Sequence, residues 1–216
     1  MTANAMVPTP ATPPPRATFF VAAAEVSVYE DLRAYDASFD PGGAGIDGHR
    51  WDFGDGDSAI GHRATHRYAE DGDYTLTLTV TTLDGRQATT AQPVSVRTHD
   101  VAITAFSVPR RARAGVQGLI TVRVASERYA ETVRVDLLKG VPGGGFETVG
   151  RETVEVPAGA RRAVEARFAV SFSETDAAGG RVIFKATATL VGARDASPAD
   201  NAALALPTTV RQSSGG

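Results

Sequence analysis

The stretch WDFGDG at residues 51–56 is the feature that most constrains how this chain can fold. Trp51 and Phe53 are two residues apart, so on an extended chain both rings face one side while Asp52 faces the other. A glycine on each side of Asp55 fits a tight turn in which the backbone takes positive φ values. The stretch therefore predicts a strand that buries two aromatic rings and ends in a turn.

A regular alternation follows at residues 74–81, where tyrosine, leucine, leucine and valine alternate with four threonines. A period of two indicates a strand that is buried on one side, and threonine is a good strand former on the other side. We predict that these two strands form the centre of a small β-sandwich. Its structural core is predicted to contain four aromatic residues: Trp51, Phe53, Tyr68 and Tyr74.

Several motifs in residues 16–97 resemble the polycystic kidney disease (PKD) repeat. They are DAS at 36–38, DPGG at 40–43, WDFGDG, THRY at 65–68, the alternating strand at 74–80 and DG at 84–85. The resemblance implies an immunoglobulin-like sandwich. It also implies a role as a spacer or binding module, since such repeats occur in surface-layer proteins, secreted hydrolases and adhesive proteins.

The second half of the chain also shows strand periodicity and no helical period. Apolar residues occupy every second position of residues 164–172, and similar alternation recurs at 120–124 and 133–137. This half is similar to the CARDB adhesion-related domain of bacterial surface proteins. The similarity rests on Asp100, the turns at 109–115 and 157–159, and the pair Asp200 and Asn201. The sequence thus predicts a second β-sandwich.

The predicted fold class is all-β, with two tandem immunoglobulin-like sandwiches at residues 17–98 and 99–211. A chain of 216 residues is long enough for two cores, and the absence of cysteine excludes disulfides and thiolate metal sites. Residues 1–16 contain five prolines and are predicted to be a tail. We hypothesise that this tail is an assembly arm held against a neighbouring subunit. Residues 212–216 are predicted to be a flexible end.

Charge divides unevenly between the two predicted domains. Residues 16–98 contain seven arginines and thirteen acidic residues, a net charge of −6, whereas residues 99–211 contain fifteen basic and twelve acidic residues, a net charge of +3. Such asymmetry is suited to ordering subunits head to tail. The N-terminus lacks the pattern of a signal peptide, and no run of apolar residues is long enough for a membrane span. We therefore expect no membrane insertion.

Acidic residues are the candidates for a metal site. The PKD resemblance implies calcium at positions that correspond to Asp40 and Asp84. Calcium takes six to eight oxygen ligands, several of them carboxylates, and the DPGG loop carries one acid where calcium-binding repeats tend to carry two. The prediction is that the protein has no cofactor, with calcium at Asp40 and Asp84 as the alternative.

The histidines near the WDFGDG stretch are not expected to bind zinc together. His62 and His66 are four residues apart, which on a strand corresponds to about 13 Å. We predict instead that His66 makes a structural hydrogen bond. The nearby acids Asp52, Asp55 and Asp57 do not have the spacing of a calcium-binding EF-hand loop, and they are better explained as turn residues that accept backbone hydrogen bonds.

No catalytic or nucleotide-binding pattern is present. The chain lacks cysteine and a Gly-x-Ser-x-Gly motif, and the glycines at 143–145 are not followed by the lysine of a phosphate-binding loop. Arg110, Arg111 and Arg113 form a basic cluster without neighbouring aromatic residues, so nucleic-acid binding is not expected. The cluster is better explained as a solvated turn, with docking against the acidic first domain of another copy as the alternative to test.

The sequence therefore predicts a non-enzymatic structural or adhesive protein. We expect a surface-exposed subunit that decorates or builds a larger assembly, such as a virion surface, with other protein subunits or further copies of itself as partners. The alternative is a spacer or binding module, for protein or surface glycan, from a large secreted or cell-surface bacterial protein. Tyr29, Tyr35 and Tyr129 are the candidates for stacking on a glycan.

Overall fold

A computed structural model describes residues 12–159 and 161–213 of the chain. The chain divides into two compact units, with the boundary between Thr98 and His99. We call these unit 1 and unit 2. Most of the predicted tail, residues 1–11, and the last three residues of the predicted flexible end lie outside the described residues.

Unit 1 consists of two sheets that enclose one apolar core. Its strands are β1 (Phe19–Val21), β2 (Glu25–Val26), β3 (Leu32–Asp36), β4 (Ile46–Asp52), β5 (Ser58–Ile60), β6 (Arg63–His66), β7 (Gly72–Thr82) and β8 (Gln87–Val96). One sheet has the order β1-β3-β6 and the other the order β2-β8-β7-β4-β5. Neighbouring strands are antiparallel except for β2 and β8, which are parallel.

The alternation in the sequence sets which face of β7 is buried. Leu76, Leu78 and Val80 have no exposed surface, whereas the intervening threonines are exposed or half-exposed. Strand β4 lies beside β7, and the pairing places Trp51 opposite Leu78. A strand with one apolar face needs a second layer to cover it, and the sheet β1-β3-β6 supplies that layer.

The aromatic residues of the predicted core pack close together. Trp51, Phe53 and Tyr68 are buried, and the ring of Phe19 meets Trp51 edge-on with 5.2 Å between centroids. Tyr74 is half-buried and stacks on Tyr68 at 4.2 Å. The WDFGDG stretch therefore anchors the core of unit 1.

The described end of the predicted tail packs on unit 1 itself. Arg16 and Phe39 exchange two backbone hydrogen bonds, of 2.8 and 3.1 Å, and the Arg16 guanidinium lies over the Phe39 ring. The carbonyl of Pro13 accepts a hydrogen bond from Arg86. Residues 13–16, which the sequence analysis assigned to the tail, thus contact the first domain. The assembly-arm hypothesis stays a prediction for residues 1–11.

Unit 2 contains three sheets around a second core. Its strands are β9 (Val101–Ser107), β10 (Arg111–Arg113), β11 (Gln117–Ser126), β12 (Glu131–Gly140), β13 (Phe146–Val156), β14 (Val164–Ser171), β15 (Arg181–Val182), β16 (Phe184–Leu190), β17 (Ala202–Leu204) and β18 (Thr208–Arg211). The sheet orders are β14-β11-β9, β13-β12-β16-β17 and β10-β18-β15. Valine, leucine and phenylalanine side chains from all three sheets form the core.

Unit 2 also contains one short α-helix that the sequence analysis did not predict. Helix α1 (Glu174–Gly179) begins at Ser173, whose hydroxyl accepts from the backbone of Asp176 while the Asp176 carboxylate accepts from the backbone of Ser173. It ends at Gly180 with φ of 70°. Six residues are too few to show a helical period, so the signal lies in this reciprocal cap rather than in hydrophobicity. The unit is otherwise a β-sandwich, which confirms the predicted fold class.

Candidate functional site

The turn after Trp51 is held by its own acidic side chains. Asp52 accepts a hydrogen bond from the Gly54 backbone at 2.9 Å, and Asp55 accepts one from the Asp57 backbone at 3.1 Å. The second oxygen of Asp55 lies 2.6 Å from Nε2 of His66. Burial would raise the pKa of Asp55. Hydrogen bonds from His66 and Asp57, together with the charge of His66, outweigh burial, so the pKa lies below its usual value. These contacts give the side chains of Asp52 and Asp55 structural partners, whereas Asp57 takes part through its backbone.

The ring of His66 completes the same structural cluster. It stacks on Phe53 with 4.1 Å between centroids and meets Tyr68 edge-on at 4.7 Å. The Tyr68 hydroxyl donates to the Phe53 carbonyl at 3.0 Å. Burial, followed by the negative charge of Asp55, raises the pKa of Tyr68 to about 12. These polar contacts all lie within unit 1, so the cluster serves the fold.

The two residues predicted as alternative calcium ligands share an arginine. The Asp40 carboxylate binds both terminal nitrogens of Arg86 at 2.9 Å, and Nε of Arg86 lies 2.9 and 3.0 Å from the two oxygens of Asp84. The Arg86 hydrogen bonds are the main reason why the pKa of Asp40 falls to about 2. A fixed cation therefore lies between these carboxylates.

The loop after β3 wraps around the same carboxylate. Asp40 accepts backbone hydrogen bonds from Gly42, Ala44 and Gly45 at 2.9, 2.8 and 3.1 Å, and its side chain is almost fully buried. These bonds and the bidentate contact with Arg86 occupy both oxygens of the carboxylate. A calcium ion would have to displace the guanidinium to reach it.

We predict that calcium leaves the unfolding temperature of the wild-type chain unchanged and that Arg86→Met lowers it. The substitution removes the cation that neutralises a buried carboxylate, and a buried unpaired charge destabilises the folded state. Differential scanning fluorimetry with calcium or with a chelator measures both effects. Arg67→Met is the matched control, since Arg67 pairs with Asp31 at the surface. A calcium-dependent increase for wild type that Asp40→Asn abolishes would contradict this prediction.

A row of three stacked side chains, two aromatic rings and one guanidinium, crosses the outer face of the sheet β1-β3-β6. Phe20, Tyr35 and Arg63 are neighbours in the strand pairing. The rings of Phe20 and Tyr35 stack at 5.1 Å, and the Arg63 guanidinium lies 5.8 Å from the centre of the Tyr35 ring. Both faces of Tyr35 are therefore in contact with protein, and Phe20, 56% exposed, is the end of the row.

This arrangement bears on the three tyrosines that were candidates for glycan stacking. A sugar ring needs an open aromatic face, and Tyr35 does not offer one. Tyr129 packs against the ring of His99 at 4.8 Å. Of the three tyrosines, Tyr35 and Tyr129 are thus in contact with other side chains, and Tyr29 is the one that is exposed.

Four arginines share the outer face of the sheet β10-β18-β15 in unit 2. Arg113 pairs with Arg211 across the parallel strands, and Arg111 and Arg181 both pair with Thr209. We call the residues Arg111, Arg113, Arg181 and Arg211 the arginine patch. All four are exposed, and the ion pairs found among the described residues involve other arginines.

Only part of this patch is evident from the sequence. Arg110, Arg111 and Arg113 were grouped because they are close in sequence. In the structure, Arg110 lies beside a separate depression lined by Phe106 and Val108. Arg181 and Arg211 join the patch through strand pairing, so no local sequence signal could have found them.

Carboxylates also gather near the start of β9. The pKa of Asp100 is raised to about 6. Burial is the main cause, and the negative charges of Asp200, Asp195 and Glu127 add to it. The Asp195 carboxylate accepts hydrogen bonds from the backbones at positions 101 and 197. Asp100 has one buried oxygen without a hydrogen-bond partner among the described residues. This acidic cluster contains two of the residues on which the CARDB resemblance rests.

The comparison with protein-family models agrees with the first of the two resemblances found in the sequence. The family model described as PKD domain matches residues 12–97, which confirms the predicted PKD domain. The comparison with curated proteins gave no match. The chain is thus a tandem of immunoglobulin-like sandwiches whose first unit matches the PKD domain. The matched family is non-catalytic, and the match is therefore consistent with the prediction that the protein is not an enzyme.

Solved structures of both kinds of domain are similar to parts of the chain. The PKD1 domain of Vibrio anguillarum Epp is 26% identical, with a TM-score of 0.37, and the match covers 40% of this chain and 98% of that one. The PKD1 domain of the Vibrio cholerae metalloprotease PrtV is 29% identical, with a TM-score of 0.36, and covers 39% and 99%. A Pyrococcus furiosus CARDB domain, solved in complex with di-metal ions, is 14% identical, with a TM-score of 0.40, and covers 53% and 90%.

Within the part of the chain that the structure describes, no helix has the length and apolar character needed to cross a membrane.

Proposed function

We propose that this protein is a non-enzymatic binding or adhesion module whose arginine patch docks on an acidic protein surface. The observation that carries the proposal is the group of four exposed arginines on one sheet face, none of them in an ion pair with a described residue. A guanidinium keeps its charge at any physiological pH and binds carboxylates with two parallel hydrogen bonds. Four of them on one face attract an acidic partner.

Unit 1 of another copy is the acidic partner that the chain itself offers. Residues 16–98 carry a net charge of −6. Several of their carboxylates are exposed: Glu25, Asp47, Asp52, Asp57 and Glu70. Contact between the patch of one copy and unit 1 of the next would order copies head to tail. This is a heterologous contact, and it forms a ring or a filament rather than a closed pair.

The PKD match supports an extracellular setting for such a module. PKD domains are typical of extracellular or secreted bacterial proteins, so we propose the bacterial cell surface or a secreted protein as the place of action. The match does not single out a virion surface, which stays the other setting for the same kind of assembly. The occupied faces of Tyr35 make protein the better-supported class of partner than glycan.

The experiment is light scattering of the full chain over a range of protein and salt concentrations. We expect the mass to rise with protein concentration at low salt and to return towards the monomer at high salt, because salt screens exposed charges beyond about 10 Å at 0.1 M. Arg111→Gln with Arg113→Gln is expected to remain monomeric. Arg123→Gln with Arg167→Gln is the matched control, with the same change in net charge on the sheet β14-β11-β9.

Two results would contradict the proposal. One is a wild-type chain that stays monomeric at every concentration and salt. The other is an assembly that the patch variant and the control variant weaken equally, because net charge rather than the patch would then explain it. Circular dichroism of each variant shows whether it is folded.

A further inference from the structure

Three side chains from three segments of unit 1 converge beside β4. Oδ2 of Asp36, at the end of β3, lies 3.1 Å from Nε2 of His49 on β4 and 3.5 Å from Nδ1 of His62 between β5 and β6. The two imidazole rings are 4.0 Å apart between centroids. One ligand atom from each residue lies within 4.8 Å of the other two.

We propose that Asp36, His49 and His62 form a binding site for a divalent transition metal ion of the zinc class. Two imidazole nitrogens and one carboxylate oxygen are a ligand set that zinc accepts, whereas calcium prefers oxygen alone. Neither the PKD match nor the sequence analysis assigns this site. It lies within unit 1 and is independent of the arginine patch in unit 2.

The distances suit a tetrahedral ion. Zinc bonds of about 2.0–2.1 Å to nitrogen and oxygen place neighbouring ligand atoms of a tetrahedron about 3.3 Å apart. The distances from Asp36 Oδ2 to the two histidine nitrogens, 3.1 and 3.5 Å, lie on either side of this value. The ligand nitrogens of the two histidines lie within 4.8 Å of each other, and rotation of the exposed His62 side chain can bring its nitrogen to the tetrahedral separation.

Backbone hydrogen bonds fix the three segments relative to one another. The Asp36 amide donates to the His62 carbonyl at 3.0 Å, and the Gly61 amide donates to the His49 carbonyl at 3.1 Å. Nε1 of Trp51 donates to the Gly61 carbonyl at 2.8 Å. The site is therefore pre-organised by the same bonds that fold unit 1, and ion binding requires little ordering of the chain.

The Asp36 carboxylate is oriented by a further contact. Its Oδ1 accepts a hydrogen bond from the Ser38 backbone at 3.0 Å, which leaves Oδ2 directed at the two histidines. Such supporting bonds to a ligating carboxylate are typical of metal sites. The carboxylate is buried, with 6% of its side chain exposed, so a cation beside it also offsets the cost of burying its charge.

Exposure of His62 leaves the site accessible from solvent. The side chain of His49 is 3% exposed, but that of His62 is 77% exposed. Three protein ligands fill three corners of a tetrahedron, and the fourth corner is open to water or to a donor from a bound partner. Because His62 contributes little to the core, it can be replaced without loss of the fold.

A second group of potential ligands, Asp55, Asp57 and His66, is a weaker candidate. It offers one imidazole, and His66 is already explained by its short contact with Asp55 and its stacking on Phe53. Along the chain His62 is close to His66, and these two histidines were not expected to bind zinc together. The structure gives His62 a different partner, His49, which lies on another strand.

The test is titration of the full chain, without any histidine tag and after treatment with a chelator. Isothermal titration calorimetry with Zn²⁺ is expected to show one ion per chain. The visible spectrum with Co²⁺ is expected to show the strong bands of tetrahedral coordination. His62→Asn is expected to weaken Zn²⁺ binding by at least about 100-fold, since loss of supporting contacts alone weakens metal sites by about 10–100-fold. His66→Asn is the matched control and is expected to bind like wild type.

The proposal is overturned if the wild-type chain shows no saturable Zn²⁺ binding, or if His62→Asn binds as tightly as wild type. It is also overturned if His66→Asn loses binding while His62→Asn keeps it, because the ion would then occupy the second group. Thermal unfolding gives an independent readout, since an ion that binds only the folded chain raises its unfolding temperature. That increase is expected for wild type and His66→Asn and not for His62→Asn.

Discussion

Replacing Trp51 with alanine is expected to lower the free energy of unfolding of unit 1 by about 3–5 kcal/mol, the range for removing a large aromatic side chain from a packed core. Trp51 has no exposed surface and meets Phe19 edge-on at 5.2 Å. Its indole nitrogen donates to the Gly61 carbonyl at 2.8 Å. Truncation therefore leaves both a cavity and a carbonyl without its partner. Scanning calorimetry of the full chain measures the effect on unit 1 beside unit 2 as an internal reference.

Trp51→Phe is the matched variant for this prediction. It keeps an aromatic ring against Phe19 but removes the hydrogen bond to Gly61, so we expect a loss of about 1–3 kcal/mol, the cost of an unsatisfied buried polar group. A loss of less than about 1 kcal/mol for Trp51→Ala would mean that the side chain is exposed, since surface substitutions have effects of about that size or smaller.

Gly54→Ala is expected to destabilise unit 1 by at least about 2 kcal/mol, because a positive φ in a residue with a side chain costs about 1–3 kcal/mol and steric overlap adds a similar amount. Gly54 has φ of 80°, and an added Cβ would lie 2.8 Å from the carbonyl oxygen and 3.0 Å from the amide nitrogen of Thr75. Thr75 is part of β7, so its backbone cannot move without disturbing the sheet. Urea unfolding of the full chain measures the loss.

Gly56→Ala separates the cost of the positive φ from the cost of steric overlap. Gly56 lies in the same turn with φ of 103°, but an added Cβ would have no atom within 4 Å. Only the backbone strain remains, and the expected loss is about 1 kcal/mol. Equal losses for the two alanine variants would show that contact with Thr75 contributes nothing.

The sequence predicted the elements that depend on neighbouring residues. The alternation at 74–81 predicted the buried face of β7, and WDFGDG predicted the strand and turn around Trp51. The family match then confirmed the PKD resemblance. These features are local, since strand periodicity and turn composition each depend on a few consecutive residues. Helix α1 was missed for the related reason that six residues cannot express a helical period.

The surroundings of the candidate sites depend on pairing between distant residues. Asp40 was named as an alternative calcium ligand without regard to Arg86, which lies 46 positions away along the chain. His62 was compared with His66, its neighbour in sequence, rather than with His49 across the sheet. The arginine patch likewise required the pairing of β10 with β18. A single sequence does not show which strands pair, and this pairing decides which charges and ligands meet.

The parallel strand pairs in the two units have an expected consequence for the response of each unit to tension. In unit 1 the early strand β2 runs parallel to the last strand β8, and in unit 2 the early strand β10 runs parallel to the last strand β18. When the two ends of a unit are pulled apart, the two strands of such a pair are pulled in opposite directions along their own length. Their hydrogen bonds are then sheared together rather than opened one after another. We therefore expect each pair to resist such a force as a small mechanical clamp.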